Sequence, residues 1–398
     1  MNACLRKFSV VALVFMLSTG SASGAAYDHE QDVVYGYKDG MALVMDVFAP
    51  TDVEKNGAGI IWVVSGGMHS DPRQMRREEL PGRMQMLLNA GYVIFAACHG
   101  SQPKFSTQEI QQDMPRAVRF IRHNAERFGI HSERIGVMGF SSGGELSLHL
   151  STKALGAQAD EDDPVDQESS RVQATVAYFP GADLVNFGKE DTTIVEHFSS
   201  VGEGGLGPFN FTKWDEDIGA FVRVSDREER LKIFAECSPI THVSKDDPPV
   251  LLIHGDADKV VPIQQSESFL ARMRDAGATC ELMVVPGKGH GWGRPVEGEH
   301  KRLKGWFDTH LLGGDSSADA GGVPSLVGKT ITTESDDGVA IWIFEEGGEL
   351  RIAEEDGGGG MRGTYEQDGE EVYMTVAGYE FMMLYDGETL KIEEGPDE

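Results

Sequence analysis

Six short apolar runs recur through the chain with stretches of helical spacing between them: Ile60 to Val64, Tyr92 to Ala97, Ile135 to Met138, Val172 to Phe179, Val250 to Ile253 and Glu281 to Val285. A strand that is apolar on both faces must be covered on both faces, which calls for a parallel sheet between two helical layers. The intervening stretches supply the cover. Ile110 to Phe128 places Ala117, Phe120, Ile121 and Phe128 close to helical spacing, and Ser142 to Leu155 is a second such stretch. Ile263 to Ala276 ends at Gly277, a C-cap residue, and Glu299 to Leu312 ends at Gly313. Strands alternating with helices predict a doubly wound, mostly parallel α/β sheet with right-handed crossovers. Ahead of it, Val33 to Phe48 reads as two strands joined at Lys38-Asp39-Gly40.

Two stretches break the alternation. From Asp183 to Ser238 there is no clear strand, only a loose loop over Gly202 to Pro208 and a helix from about Arg227 to Glu236. Insertions of this length in compact domains often wall a site, and residues 183–238 are expected to form a lid-like insertion that brings Phe209, Phe211 and Trp214 for apolar or sugar-ring contact. After Gly313 a small, polar stretch reads as a linker over residues 314–323. Beyond it the period changes to that of strands in Val339 to Phe344, Leu350 to Ile352, Glu371 to Val376 and Phe381 to Tyr385, separated by glycine-rich turns. Residues 324–398 are therefore expected to form a small antiparallel β module.

The charge balance agrees with a separate module. The 398 residues carry a formal net charge of -30, and Asp315 to Glu398 holds 22 acidic against 4 basic residues. Such a surface excludes nucleic acid as a partner, because phosphate binding needs basic groups. At the other end, Arg6 and Lys7 precede the apolar run Phe8 to Leu17 and the small residues Gly20 to Ala26. That pattern is a signal peptide over residues 1–26, with an apolar run too short for the roughly 20 residues of a membrane span. Export to the periplasm or beyond is expected, with residues 27–313 as the main folded domain. Cys98, Cys237 and Cys280 then remain; an odd number leaves at least one free or paired between chains, and buried inert thiols are expected.

The chemistry sits at the ends of the apolar runs. Gly139-Phe-Ser141-Ser-Gly143 is a G-x-S-x-G directly after one strand and directly before a helix. In that context the serine occupies a sharp turn, its hydroxyl lifted above the sheet at a helix N-terminus whose N–H groups can hold an oxyanion. A serine nucleophile needs a base, and the base an orienting acid. Downstream, Pro249 to Pro262 is a strand that ends in Asp256-Ala-Asp258, and Asp258 is the expected acid. Asp256, which is expected to brace the turn through its own backbone, and Asp183 are the alternative acids. After the next strand, His290 lies in a glycine-rich loop and is the expected base; His254 lies inside a strand, and His300 and His310 in the last helix. Gly66 and Gly67, after the first buried strand, are expected to turn N–H groups towards the same oxyanion as the Ser142 N–H. No H-E-x-x-H, C-x-x-C or phosphate-loop motif occurs, so no metal or organic cofactor is expected.

Together these segments resemble the α/β-hydrolase superfamily, and more closely the bacterial feruloyl and acetyl esterase-like group, which is itself similar to the catalytic domains of prolyl oligopeptidases. The matching pieces are Asp46 to Pro50, Trp62 to Gly67, Gly139 to Gly144, Ser238-Pro-Ile240 with Pro249 to Pro262, and Gly287 to Trp292. The resemblance implies Ser141, Asp258 and His290 as a catalytic triad, Gly66, Gly67 and Ser142 as the oxyanion hole, and hydrolysis of small acyl or acetyl-sugar esters. The donor loop departs from the group's His-Gly-Gly-Gly, reading Val64-Ser-Gly-Gly or Ser65-Gly-Gly-Met, so Met68 is a further donor candidate. A peptidase of the prolyl-oligopeptidase type and an inactive binding or adhesion protein are the alternatives. The resemblance names no partner for the β module.

Overall fold

The structure is a computed structural model that describes residues 26–76, 82–200, 207–296 and 298–313, and, beyond these, the strands between 329 and 394 apart from the turns at 336–337, 346–348, 355–360, 369–370, 377–378 and 386–389. The expected signal peptide, apart from Ala26, and the expected linker lie outside the described residues, as does most of the loop expected at 202–208.

Two compact units result, one holding the residues around Ser141 and the other the C-terminal strands. In the first, the chain runs through β1 (Tyr27–Lys38), β2 (Met41–Pro50), β3 (Gly59–Val64), helix α1 (Gly82–Asn89), β4 (Val93–Cys98), α2 (Asp113–His123), β5 (Ile135–Phe140), α3 (Ser142–Thr152) and β6 (Ala174–Tyr178). It continues through α4 (Ile194–Ser200), β7 (Thr212–Asp215), β8 (Ala220–Arg223), α5 (Arg227–Cys237), β9 (Val250–Gly255), α6 (Gln264–Ala276), β10 (Cys280–Val285) and α7 (Glu299–Phe307), of which the part from Leu303 onward belongs to this unit. Eight of these strands form one sheet in the order β1-β2-β4-β3-β5-β6-β9-β10. β1 and β2 are antiparallel and attach to β4 antiparallel, while β4-β3-β5-β6-β9-β10 is parallel throughout. This is the expected doubly wound sheet.

Both faces are covered, as the apolar runs require. Ile61 and Val63 of β3, Phe95 of β4 and Val137 of β5 join one core cluster with Ile121 of α2, whereas Ile60, Trp62, Ile94 and Met138 join a second with Leu87 and Phe307. Burying each such side chain stabilises the fold by about 1.5–3 kcal/mol. The stretch expected as one helix from Ile110 is broken: a turn at Thr107–Ile110 with its own Ser106/Glu109 capping box precedes α2, and Asn124 separates α2 from Ala125–Phe128.

The insertion does contain strands, contrary to the reading of 183–238 as strandless. β7 and β8 pair antiparallel across a turn in which Asp215 Oδ1 accepts from the N–H groups of Asp217 and Ile218, and Gly219 takes φ 62°. The strands have four residues each and are largely exposed, with Trp214 set edge-on against Phe221, so no alternation of core and solvent faces marks them. The insertion builds its own small core from Leu184, Phe187, Ile194, Phe209, Phe211 and Phe234, and Val261 of the loop after β9 anchors it.

The C-terminal unit is a seven-stranded antiparallel sheet in chain order, β11 (Thr330–Ser335), β12 (Gly338–Phe344), β13 (Glu349–Glu354), β14 (Met361–Asp368), β15 (Glu371–Val376), β16 (Tyr379–Tyr385) and β17 (Leu390–Glu394). Trp342, Phe344, Ile352, Tyr365, Met374 and Tyr385 are among its core residues. The sequence shows four of these strands; Met361–Asp368 contributes Tyr365 to the core among its described side chains, and β11 and β17 are mostly polar.

Candidate active site

Ser141 stands between β5 and α3 with φ 54° and ψ −119°. A non-glycine residue with positive φ is held there by its surroundings at a cost of about 1–3 kcal/mol. Two glycines permit the turn. A Cβ on Gly139 would lie 2.3 Å from Gly143 O, and one on Gly143 would lie 2.7 Å from Val63 O. Strand and helix therefore approach more closely than any side chain allows, and the Ser141 hydroxyl is presented at the carboxyl edge of the sheet.

The loops after β9 and β10 meet it there. His290 Nε2 lies 2.9 Å from Ser141 Oγ, and His290 Nδ1 lies 2.7 Å from Asp258 Oδ2. Asp258 Oδ1 accepts from the N–H groups of Val260 and Val261 at 2.8 and 2.9 Å. An ionised carboxylate at Oδ2 calls for the proton of His290 on Nδ1, which leaves Nε2 free to accept from the serine. Burial alone would raise the Asp258 pKa, but hydrogen bonds from His254 and His290 and from the Val261 N–H outweigh it and hold the carboxyl well below its ordinary value. His254, fully buried in β9, lies 2.9 Å from Val261 O through Nε2 and 2.7 Å from Ser266 Oγ through Nδ1, so it fixes the Asp258 loop. The Phe179 ring packs edge-on against His290 at 4.8 Å.

Other acidic residues take different places. Asp256 does not brace its own turn: its Oδ1 accepts from Gly287 N at 2.6 Å, tying the loop that carries His290 to the loop that carries Asp258. The two loops follow adjacent parallel strands, so an acid at the end of one reaches the backbone of the other. Asp183 accepts from the N–H groups of Val185 and Asn186 and from the Asn186 side chain. Cys98, Cys237 and Cys280 are free and buried, and burial pushes their thiols up to about 11, 12 and 12.

The donor loop departs from expectation in one respect. Gly66, Gly67, Met68 and Ser142 all line a cavity of about 310 Å3 together with Ser141 and His290. The Gly66 N–H, however, donates to His69 O at 2.9 Å, and His69 N–H donates back to Gly66 O at 3.0 Å. A bridge across a turn with Gly67 and Met68 at φ 57° and 60° consumes the Gly66 donor. The N–H groups of Gly67 and Met68 are the ones the turn leaves for a ligand, and Ser142, at the first position of α3, has no partner carbonyl one turn back within the helix.

A hydrogen-bonded chain absent from the sequence reading supports this loop. His99 Nδ1 lies 2.6 Å from Gly100 O and must donate, so Nε2 accepts from Ser65 Oγ at 2.8 Å, and Ser65 Oγ in turn accepts from Ser142 Oγ at 2.9 Å. Burial holds the His99 pKa down at about 4, which keeps the ring in the neutral form this chain requires. The ends of β3 and β4 and the start of α3 are thereby locked in one register. The cavity's remaining wall is largely apolar and comes mostly from the insertion, with Phe187, Ile194, Phe198 and Phe209. Phe211 is buried and Trp214 is exposed on the hairpin, so of the three aromatic residues expected to make contact, Phe209 lines the cavity. No group of His, Cys, Asp and Glu able to hold a metal occurs among the described residues.

The family model described as BD-FAE matches residues 45–273, more than half of the chain. The chain belongs to the BD-FAE family. The match includes Ser141 and Asp258 and stops short of His290. Among curated relatives, Esterase LipC of Mycobacterium tuberculosis is 27% identical over 276 residues, 69% of this chain and 62% of LipC. Isoprenylcysteine alpha-carbonyl methylesterase ICME of Arabidopsis thaliana is 28% identical over 201 residues, 50% of this chain and 43% of that protein. The chain thus spans less than two thirds of these relatives' length. Among solved structures, a truncated carbohydrate esterase from gut microbiota aligns with a TM-score of 0.57 at 25% identity, covering 74% of this chain and all of that one. The thermophilic esterase Est2 of Thermogutta terrifontis, at 23% identity and TM-score 0.52, has the same fold.

Proposed function

We propose that this protein is an exported serine hydrolase that cleaves small carboxylic esters through an acyl-enzyme on Ser141. The observation that carries the reading is the continuous run from Ser141 Oγ through the His290 ring to the Asp258 carboxylate, at 2.9 and 2.7 Å, at the edge of a largely apolar cavity. In the first step His290 Nε2 takes the proton of Ser141 as its Oγ bonds to the acyl carbon. The carbonyl oxygen becomes an oxyanion, which the N–H groups of Ser142 and of Gly67 or Met68 stabilise. His290 then returns the proton to the leaving alcohol oxygen as the carbon–oxygen bond breaks. Water repeats the sequence on the acyl-enzyme and releases the acid. Asp258 holds the ring's tautomer and offsets its positive charge in both halves.

Esters are favoured over peptides by the chemistry and by the cavity. An alkoxide leaves with less assistance than an amine, and the wall residues of the insertion suit an acyl chain or a sugar ring. Relatives named as esterases and as a carbohydrate esterase support the same class. We further propose that residues 27–313 are the catalytic domain, with 183–238 as its lid-like insertion, and that 324–398 is a module outside catalysis. Kinetics on acyl esters, acetylated sugars and aminoacyl anilides test the activity: kcat/KM on esters should exceed that on anilides by roughly 100-fold or more, and the reverse order would assign a peptidase. Failure of a fluorophosphonate to label folded protein would instead leave an inactive binding protein. N-terminal sequencing of protein recovered from a bacterial host tests export, with a start near Ala25 to Asp28 expected.

A further inference from the structure

Glu145 lies one helical turn after the nucleophile, in the first turn of α3, and lines the same cavity as Ser141 and His290. Its exposure is 3%, and among the described residues nothing hydrogen-bonds its Oε1. A buried carboxyl oxygen without a partner destabilises a fold, so such a group calls for a ligand or another use. Space has been left for it on the opposite side: a Cβ on Gly181 would stand 3.0 Å from Glu145 Oε2. Around it the cavity presents Phe187, Ile194, Phe198, Phe209, Val260 and Val261. In this largely apolar enclosure, which Gln102 also lines, a hydrogen-bonding carboxyl discriminates between ligands, because an unmatched polar group on either side stays unpaired.

We propose that Glu145 is a specificity-determining residue, hydrogen-bonding an uncharged hydroxyl or ether oxygen of the ester substrate within the cavity that holds Ser141. The inference rests on the esterase reading given above. It names a feature of the substrate, an oxygen function close to the scissile ester, that a plain alkyl ester lacks. Burial raises the Glu145 pKa to about 8, so at neutral pH the group is mostly a carboxylic acid that can donate as well as accept. That form matches a neutral oxygen and brings no positive charge to offset an anionic substrate. A cationic substrate would have to surrender its hydration to an apolar wall before meeting this single acid.

Two pairs of matched esters test it, each differing by oxygen in place of one methylene: 4-nitrophenyl methoxyacetate against 4-nitrophenyl butyrate for the acyl side, and 2-methoxyethyl acetate against butyl acetate for the alcohol side. The readout is the ratio of kcat/KM within each pair, which cancels each variant's general effect on turnover. In Glu145→Leu the ratio of at least one pair should fall by about tenfold or more, because the hydrogen bond is lost and the oxygen is buried unpaired. Glu145→Gln, which keeps an uncharged donor, should hold that ratio within about threefold of wild type. Gly181→Ala, whose Cβ would stand 3.0 Å from Oε2 and push the carboxyl aside by a few tenths of an ångström, should lower it in the same pair by a smaller factor, and it serves if the leucine variant does not fold. Unchanged ratios in folded Glu145→Leu and Gly181→Ala overturn the proposal while leaving the esterase reading standing. A wild-type preference for glycyl over butyryl esters that disappears in Glu145→Leu also overturns it, in favour of a cation site. Folded wild-type protein that hydrolyses neither pair removes the esterase reading, and this inference with it.

Discussion

Replacing Glu145 by glutamine should change how stability depends on pH, and the size of the change follows from the structure. In the unfolded chain this carboxyl titrates near its ordinary 4.5, whereas burial in the folded protein raises it to about 8. Between those values the unfolded state has released the proton and the folded state still binds it. Stability from this group is therefore fully present below about pH 4.5 and declines as pH rises through 8. Each pH unit in that window costs the folded state about 1.4 kcal/mol, which sums to on the order of 5 kcal/mol by pH 8. Two other buried titratable groups have shifts of their own, Cys237, which burial pushes up to about 12, and His149, one turn further along α3, which burial pushes down to about 3; both act alike in wild type and variant and cancel from the difference between them. Glu145→Gln lacks the titration. Urea unfolding of both proteins from pH 5 to 9, followed by tryptophan fluorescence, should show the glutamine variant gaining on wild type steadily as pH rises, then running parallel above about pH 8 to 9. Four of the five tryptophans, at 62, 214, 292 and 306, precede the β module. Stability curves that stay parallel from pH 5 to 9 would refute the reasoning, because the folded carboxyl would then be titrating like the unfolded one.

Three further substitutions probe the site. Ser141→Ala should remove the covalent route and lower kcat by roughly 1,000-fold or more with unfolding behaviour unchanged; folded protein retaining a tenth of its turnover would place the nucleophile elsewhere. Ser65→Ala breaks the chain from His99 to Ser142 and should lower kcat by about tenfold with KM little altered, if the chain positions the proposed oxyanion donors rather than binding substrate; a rise in KM at constant kcat would assign Ser65 to binding instead. Gly139→Ala forces a Cβ to 2.3 Å from Gly143 O, and the expected result is loss of fluorophosphonate labelling and a destabilisation of more than about 3 kcal/mol.

What could be read from the sequence, and what could not, divides by how each contact is made. The turn at Ser141 was legible because everything that produces it is local: an apolar strand, two glycines placed where strand and helix collide, and a helix start. Asp258 and His290 were legible one step less directly, since each follows an apolar run and parallel strands bring all such ends to one edge of the sheet. The chain from His99 through Ser65 to Ser142 carries no comparable signal. Its members are 34 and 77 residues apart, and a serine after one strand and a histidine after another are ordinary loop residues until β4 and β3 are laid side by side. The Gly66 N–H is a related case, donating to His69 O. Glycine freedom identifies a tight turn, but which N–H the turn consumes depends on the residue that closes it, here His69 three positions on. Glu145 was the least visible. A glutamate in the first turn of a helix reads as a solvated residue favoured by the helix dipole, and only the approach of Gly181 and of the insertion's cavity-lining residues makes it a buried acid. Local sequence thus marks Ser141, Asp258 and His290, whereas the side chains that line the cavity beside them depend on which segments converge above the sheet. For that reason the Glu145 ratios, more than any substitution within the proposed triad, bear on which ester the proposed hydrolase would take.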